Sequence, residues 1–155
     1  MIARKCLTPL IMFALVVSGA AVVQGADKEP ARIDVRVGAD SVAPGETARV
    51  TVTVVPSSGI KINRYPKIKV TVDEVEGLVG RAEATVGNPK PPPVKDPESN
   101  YFKKPEGVKL DLTFSSDASS GPQEIEARIK YFYCVTESGY CAPARAELTI
   151  PVNVR

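Results

Sequence analysis

Apolar and polar residues alternate with a period of two along most of the chain beyond its first 25 or so positions. Ile33, Val35 and Val37 alternate with Asp34, Arg36 and Gly38, and Val50, Val52 and Val54 with Arg49, Thr51 and Thr53. Alternation of this kind sends successive side chains to opposite faces and marks a strand with one buried face. Ile60 and Ile62 open a third strand region, which resumes after Pro66 with Ile68, Val70 and Val72 and divides at Tyr65-Pro66. Asp73 to Gly80 has apolar residues spaced as in a helical turn, but Gly77 and Gly80 oppose a helix. Arg81 to Val86 reads as a short strand, and Val108, Leu110, Leu112 and Phe114 as another. Ile125, Ala127, Ile129, Tyr131 and Tyr133 then share one parity, and Ala144, Ala146, Leu148, Ile150, Val152 and Val154 share one in the last strand. Pro44-Gly45, Pro56 to Gly59 and Ser115 to Pro122 supply turns between them. No segment carries a helical period. About seven short strands with turns between them predict an all-β fold, an immunoglobulin-like antiparallel β-sandwich with a C-terminal cysteine-bearing hairpin. The inter-sheet disulfide and tryptophan of antibody domains are missing, since the chain has no tryptophan.

One long stretch departs from the pattern. Gly87 to Pro105 holds six prolines among nineteen residues, with Pro91-Pro92-Pro93 expected to be extended. It reads first as a solvated loop. The alternative is a loop laid over another part of the domain, anchored by Tyr101 and Phe102.

The first residues follow a different logic. Arg4 and Lys5 precede an apolar run from Leu10 to Val17, and small residues at Ser18-Gly19-Ala20 and Val23-Gln24-Gly25 offer cleavage sites. Residues 1–25 therefore read as a secretory signal peptide and residues 26–155 as the exported domain. The apolar run is short for a membrane span, so none is expected in the mature chain. Removing the signal takes away two of the 20 basic residues and none of the 18 acidic ones, leaving a net charge near zero. Nothing in that balance predicts binding to nucleic acid or to a membrane surface. Cys6 is removed too, so two cysteines remain in a compartment where disulfides persist. The chain has no histidine. Ser-His-Asp and Cys-His catalysis and histidine metal sites are thereby excluded, and no metal or other cofactor is expected. No glycine-rich phosphate loop follows a strand, so a hydrolase or transferase is not expected either.

The remaining chemistry lies in Cys134 and Cys141, separated by six residues that include the turn formers Glu137, Ser138 and Gly139. Counting from Ile129 and back from Leu148, both cysteines fall on the non-core parity of their strands. That favours a cross-strand disulfide outside the sandwich core, with Phe132, Tyr133 and Tyr140 near enough to shield it, and with Tyr101 and Phe102 as further shielding aromatics if the proline-rich loop lies over it. A loop of eight residues closed by this bond contributes about 2.5 kcal/mol by the chain-entropy relation, modest for a staple. The pair is either a passive staple in a binding or structural module or a reducible bond that does chemistry.

The hairpin resembles the close of the N-terminal periplasmic domain in the DsbD family of transmembrane thiol:disulfide interchange proteins. Members carry Tyr-x-x-Cys, a short turn, Gly-aromatic-Cys-x-Pro and a final strand. Here these are Tyr131-Phe132-Tyr133-Cys134 and Gly139-Tyr140-Cys141-Ala142-Pro143. Gly59-Ile60-Lys61-Ile62-Asn63 looks like the family's Gly-aromatic-x-aliphatic segment. The likeness runs in order over most of the mature chain, and the cysteine hairpin is its specific part. It implies an immunoglobulin-like domain, periplasmic or else secreted, that exchanges disulfides with proteins bearing thioredoxin-like or disulfide sites. It also implies roles: Cys141 as the attacking thiolate and Cys134 as its resolving partner. The turn between the cysteines is one residue longer than in the best-known members. Glu98-Ser99-Asn100-Tyr101-Phe102 is the nearest counterpart of the family's cap loop. The family's membrane segments and thioredoxin-like domain have no counterpart in the sequence, so a stand-alone copy with a separate electron donor is expected.

Overall fold

The computed structural model describes residues 29–155; the expected signal peptide and its cleavage sites lie outside the described residues. Eight strands follow in order among them: β1 (Ala31–Val37), β2 (Thr47–Pro56), β3 (Ile60–Ile62), β4 (Ile68–Val72), β5 (Ala82–Val86), β6 (Gly107–Thr113), β7 (Gly121–Val135) and β8 (Cys141–Val154). A 3-10 turn, Pro97–Asn100, lies between β5 and β6. Every strand pairing is antiparallel.

The strands divide into two sheets. One runs β1-β2-β6. In the other, β7 is central: β8 pairs with it along one side, while β4 and then β3 pair with successive stretches of the other side, and β5 flanks β4. The third strand region thus divides at Tyr65-Pro66, whose peptide bond is cis. Lettered from the N-terminus, the sheets are A-B-E and C′-C-F-G, the immunoglobulin-like arrangement without strand D.

The period-two pattern explains the core. Val50 and Val52 of β2 and Val108, Leu110 and Leu112 of β6 are buried on one inner face. Ile68, Val70 and Val72 of β4, Ile125 and Ile129 of β7, and Ile150 of β8 are buried on the other. Their polar neighbours face out, as at Arg49 and Asp111, which pair across β2 and β6 at 2.9 Å. Residues 73–80 form no helix. Val75 and Val79 bridge each other around Gly77 at φ 69°, and Val79 also bridges Phe114, tying the turn to the end of β6.

The proline-rich stretch behaves as two halves. Its first half is solvated, with Val94 at 99% exposure. Its second half docks beside β3. Arg64 N–H donates to the Asn100 carbonyl at 2.5 Å and Phe102 N–H to the Ile62 carbonyl at 3.0 Å. The Asn100 side chain accepts from Tyr65 N–H at 2.9 Å and donates to the Tyr65 carbonyl at 3.1 Å. Asn63 and Tyr101 form an antiparallel bridge. Prolines keep the first half extended and remove its donors, whereas the second half has free N–H groups with which to extend the sheet.

Candidate functional site

The site lies where β7 and β8 run on to the hairpin tip. Val135 N–H donates to the Tyr140 carbonyl at 2.8 Å, and Gly139 N–H donates to the Val135 carbonyl at 2.9 Å. Gly139 adopts φ 67°, a left-handed conformation that suits glycine. Thr136 N–H donates to the Gly59 carbonyl at 2.8 Å, fastening the tip to the start of β3. Because Val135 and Tyr140 carry the ladder bond, Cys134 and Cys141 occupy the next, non-hydrogen-bonded pair. Opposed side chains approach most closely there. The Cα atoms are 4.0 Å apart and the sulfurs are bonded at 2.00 Å.

Cross-strand register places the neighbours. Lys61 of β3 stands opposite Cys134, which stands opposite Cys141. In the adjoining row on the same outward face stand Asn63, Phe132 and Pro143. The disulfide therefore lies outside the sandwich core, as parity predicts. Its two residues are not equally placed: Cys141 is exposed, while Cys134 retains 4% exposure. Strand parity assigns a face, and a face is solvated only where no further layer covers it. Here β3 and the docked Tyr101 segment extend the sheet beyond Cys134, whereas β8 is the edge strand at Cys141.

Asn63 is the buried polar residue of this corner, 8% exposed, with its Oδ1 3.4 Å from Cys134 Sγ. Phe132 on β7 and Tyr101 on the docked segment flank it. The Lys61 ammonium sits 4.9 Å from the Tyr101 ring centre and 2.8 Å from a Glu98 carboxylate oxygen. Lys130 lies 5.5 Å from the Phe132 ring centre. Further into the core, burial pushes the Tyr131 phenol above its usual range, with Glu29 and Tyr133 adding to the effect.

The expected shielding aromatics separate by face. Phe132 and Tyr101 share the outward face with the cysteines. Tyr133 and Phe102 fall on the opposite parity and pack against the core, so neither shields the sulfurs. Tyr140 stands at the tip, 60% exposed. Sequence reasoning passed over Asn63 and Lys61 as site residues. The signal available for them was register: both share an outward parity, within four residues of the turn at Gly59. Among the described residues no group of three or more His, Cys, Asp and Glu side chains gathers as a metal site, and no helix is long and apolar enough to cross a membrane.

No protein-family model and no curated protein matches the chain. Among solved structures, a cohesin module from a family 33 glycoside hydrolase of Clostridium perfringens is similar, with a TM-score of 0.46 and 13% identity, covering 80% of this chain and 96% of that one. The fold assignment rests on the strand order and register given above.

Proposed function

We propose that this chain is an exported thiol–disulfide exchange domain, working in the periplasm and passing electrons to or from protein partners through Cys134 and Cys141. The observation that carries the reading is the unequal exposure of the two bonded cysteines. An incoming thiolate meets the exposed Cys141 at the edge of the sheet, while Cys134 is a buried residue. A partner thiolate attacks Cys141 Sγ, a partner–Cys141 disulfide forms, the Cys134–Cys141 bond breaks, and the electron pair moves to Cys134 Sγ. In the opposite direction, the Cys141 thiolate attacks a partner disulfide. Cys134 then attacks Cys141 Sγ, releasing a reduced partner and leaving the domain oxidised. The resemblance of the hairpin to the DsbD family supports the same division of roles, and partners with thioredoxin-like or disulfide sites fit it.

Capture of mixed disulfides tests this reading. Cys134→Ser removes the resolving thiol, so adducts through Cys141 accumulate when the reduced variant is incubated with an oxidised exported-protein fraction and quenched in acid. Cys141→Ser yields none. A Cys134→Ser protein that alkylates freely at Cys141 yet captures no partner contradicts the proposal.

A further inference from the structure

We infer that Asn63 is a catalytic residue of the exchange reaction, stabilising the sulfur of Cys134 whenever the disulfide opens. The inference rests on the proposed function for its purpose, but its physical content concerns only the cysteine pair. The starting observation is a buried amide with its Oδ1 3.4 Å from a sulfur that, while bonded to Cys141, has no hydrogen to donate. A disulfide sulfur is also a weak acceptor, so the amide gains little from it in the oxidised protein. Burying an amide costs free energy unless its partners repay it. The reduced state supplies the missing partner. A Cys134 thiol donates S–H to Oδ1. A Cys134 thiolate accepts from Nδ2–H once the amide turns over about its last bond, since its two ends are nearly equal in size.

The effect has a direction. When a partner thiolate attacks Cys141, the electron pair of the broken bond arrives on Cys134 Sγ. A hydrogen bond given to that developing thiolate stabilises the leaving group, and leaving-group stability governs the rate of exchange. The proton comes later, from solvent, when the thiolate is quenched. Both the thiol and the thiolate forms gain a partner that the disulfide lacks, so Asn63 shifts the pair toward the reduced state. Its position also helps decide which sulfur leaves, because the polar contact of Cys141 Sγ is with the Gly139 carbonyl oxygen at 3.6 Å, a group that cannot donate to a thiolate. The charged groups facing this corner are Lys61, opposite Cys134 and held by Glu98, and Lys130 beyond Phe132. Arg64 follows Asn63 in the chain and lies against the Phe102 ring at 5.6 Å, on the core side.

Asn63→Leu keeps the size of the side chain and removes both hydrogen-bonding ends. Two readings are taken. Equilibration of the wild-type and Asn63→Leu domains with dithiothreitol should show the equilibrium constant for reduction about fivefold smaller in the variant, the scale of one hydrogen bond. In the Cys141→Ser background, thiolate absorbance followed against pH should place the Cys134 titration about one unit higher in Asn63→Leu, the excess of a bond to the thiolate over one from the thiol. Asn63→Asp serves as the second variant: an ionised carboxylate beside the sulfur cannot donate and repels the thiolate, so the titration should also rise. Identical titrations and equilibrium constants in all three proteins would overturn the inference and leave Asn63 as filler. The absolute equilibrium constant of the wild-type domain reports separately on the proposed function, so either conclusion can fail without the other.

Discussion

In Cys141→Ser the remaining Cys134 thiol is expected to react with a small aromatic disulfide about 100-fold more slowly than the Cys141 thiol of Cys134→Ser. The two variants are matched in composition and each keeps one thiol, so chemistry common to both cancels. What differs is access. Cys141 lies on the free edge of β8, whereas Cys134 retains 4% exposure beside the row of Asn63 and Phe132. A reagent reaches Cys134 only after the corner opens, and a 100-fold penalty corresponds to an opening cost of about 2.7 kcal/mol. The serine hydroxyl at position 141 is close in size to the thiol it replaces, so it leaves the corner closed. Stopped-flow release of the aromatic thiol measures both rates. Equal rates would mean that the corner opens freely in solution and that unequal access does not assign the attacking sulfur to Cys141.

Gly87→Ala is expected to destabilise the fold by about 3–5 kcal/mol, well beyond the effect of Gly121→Ala. Both glycines adopt positive φ, 128° and 120°, and an alanine at either bears the strain of that conformation, about 1–3 kcal/mol. They differ in surroundings. A Cβ at Gly87 would lie 2.2 Å from the Arg64 carbonyl oxygen, while nothing lies within 4 Å of one at Gly121. Relieving that clash moves backbone and costs about 1–3 kcal/mol more. The displaced carbonyl accepts from Asn88 N–H, and the Arg64 N–H holds Asn100, so the docked segment carrying Tyr101 loosens with it. Urea unfolding of the two variants gives the comparison. Matching losses would show that the loop gives way without cost and does not brace the site. If the bracing holds, Gly87→Ala in the Cys141→Ser background also raises the reactivity of Cys134.

The strands and their faces were legible because period-two alternation is a local signal. Counting from Ile129 and Leu148 puts both cysteines on the outward face, and the structure adds the register that sets Cys134 opposite Cys141. Burial of Cys134 was not legible. It depends on Asn63, 71 residues away in sequence, and on a segment after the proline run that extends the sheet. That segment docks through backbone groups of Asn100 and Phe102, which leave no mark on residue type, and through the Asn100 side chain, whose partner is the Tyr65 backbone. Tyr133 and Phe102 are aromatic, and Tyr133 is next to Cys134 in sequence, but alternation turns both toward the core. Asn63 itself looked like one more polar residue of an alternating strand. Its meaning comes from two flanking aromatics and a sulfur, which only the register brings together.

The reduction potential of the Cys134–Cys141 pair separates an exchange domain from a stapled one most directly. The domain of residues 26–155, equilibrated in graded dithiol and glutathione buffers, is alkylated and its free thiols counted by mass. A value of about −180 to −270 mV, the span of exchange proteins, is the result predicted here. A value below about −300 mV would mark a bond that exchange partners do not open, and would make the hairpin a passive staple.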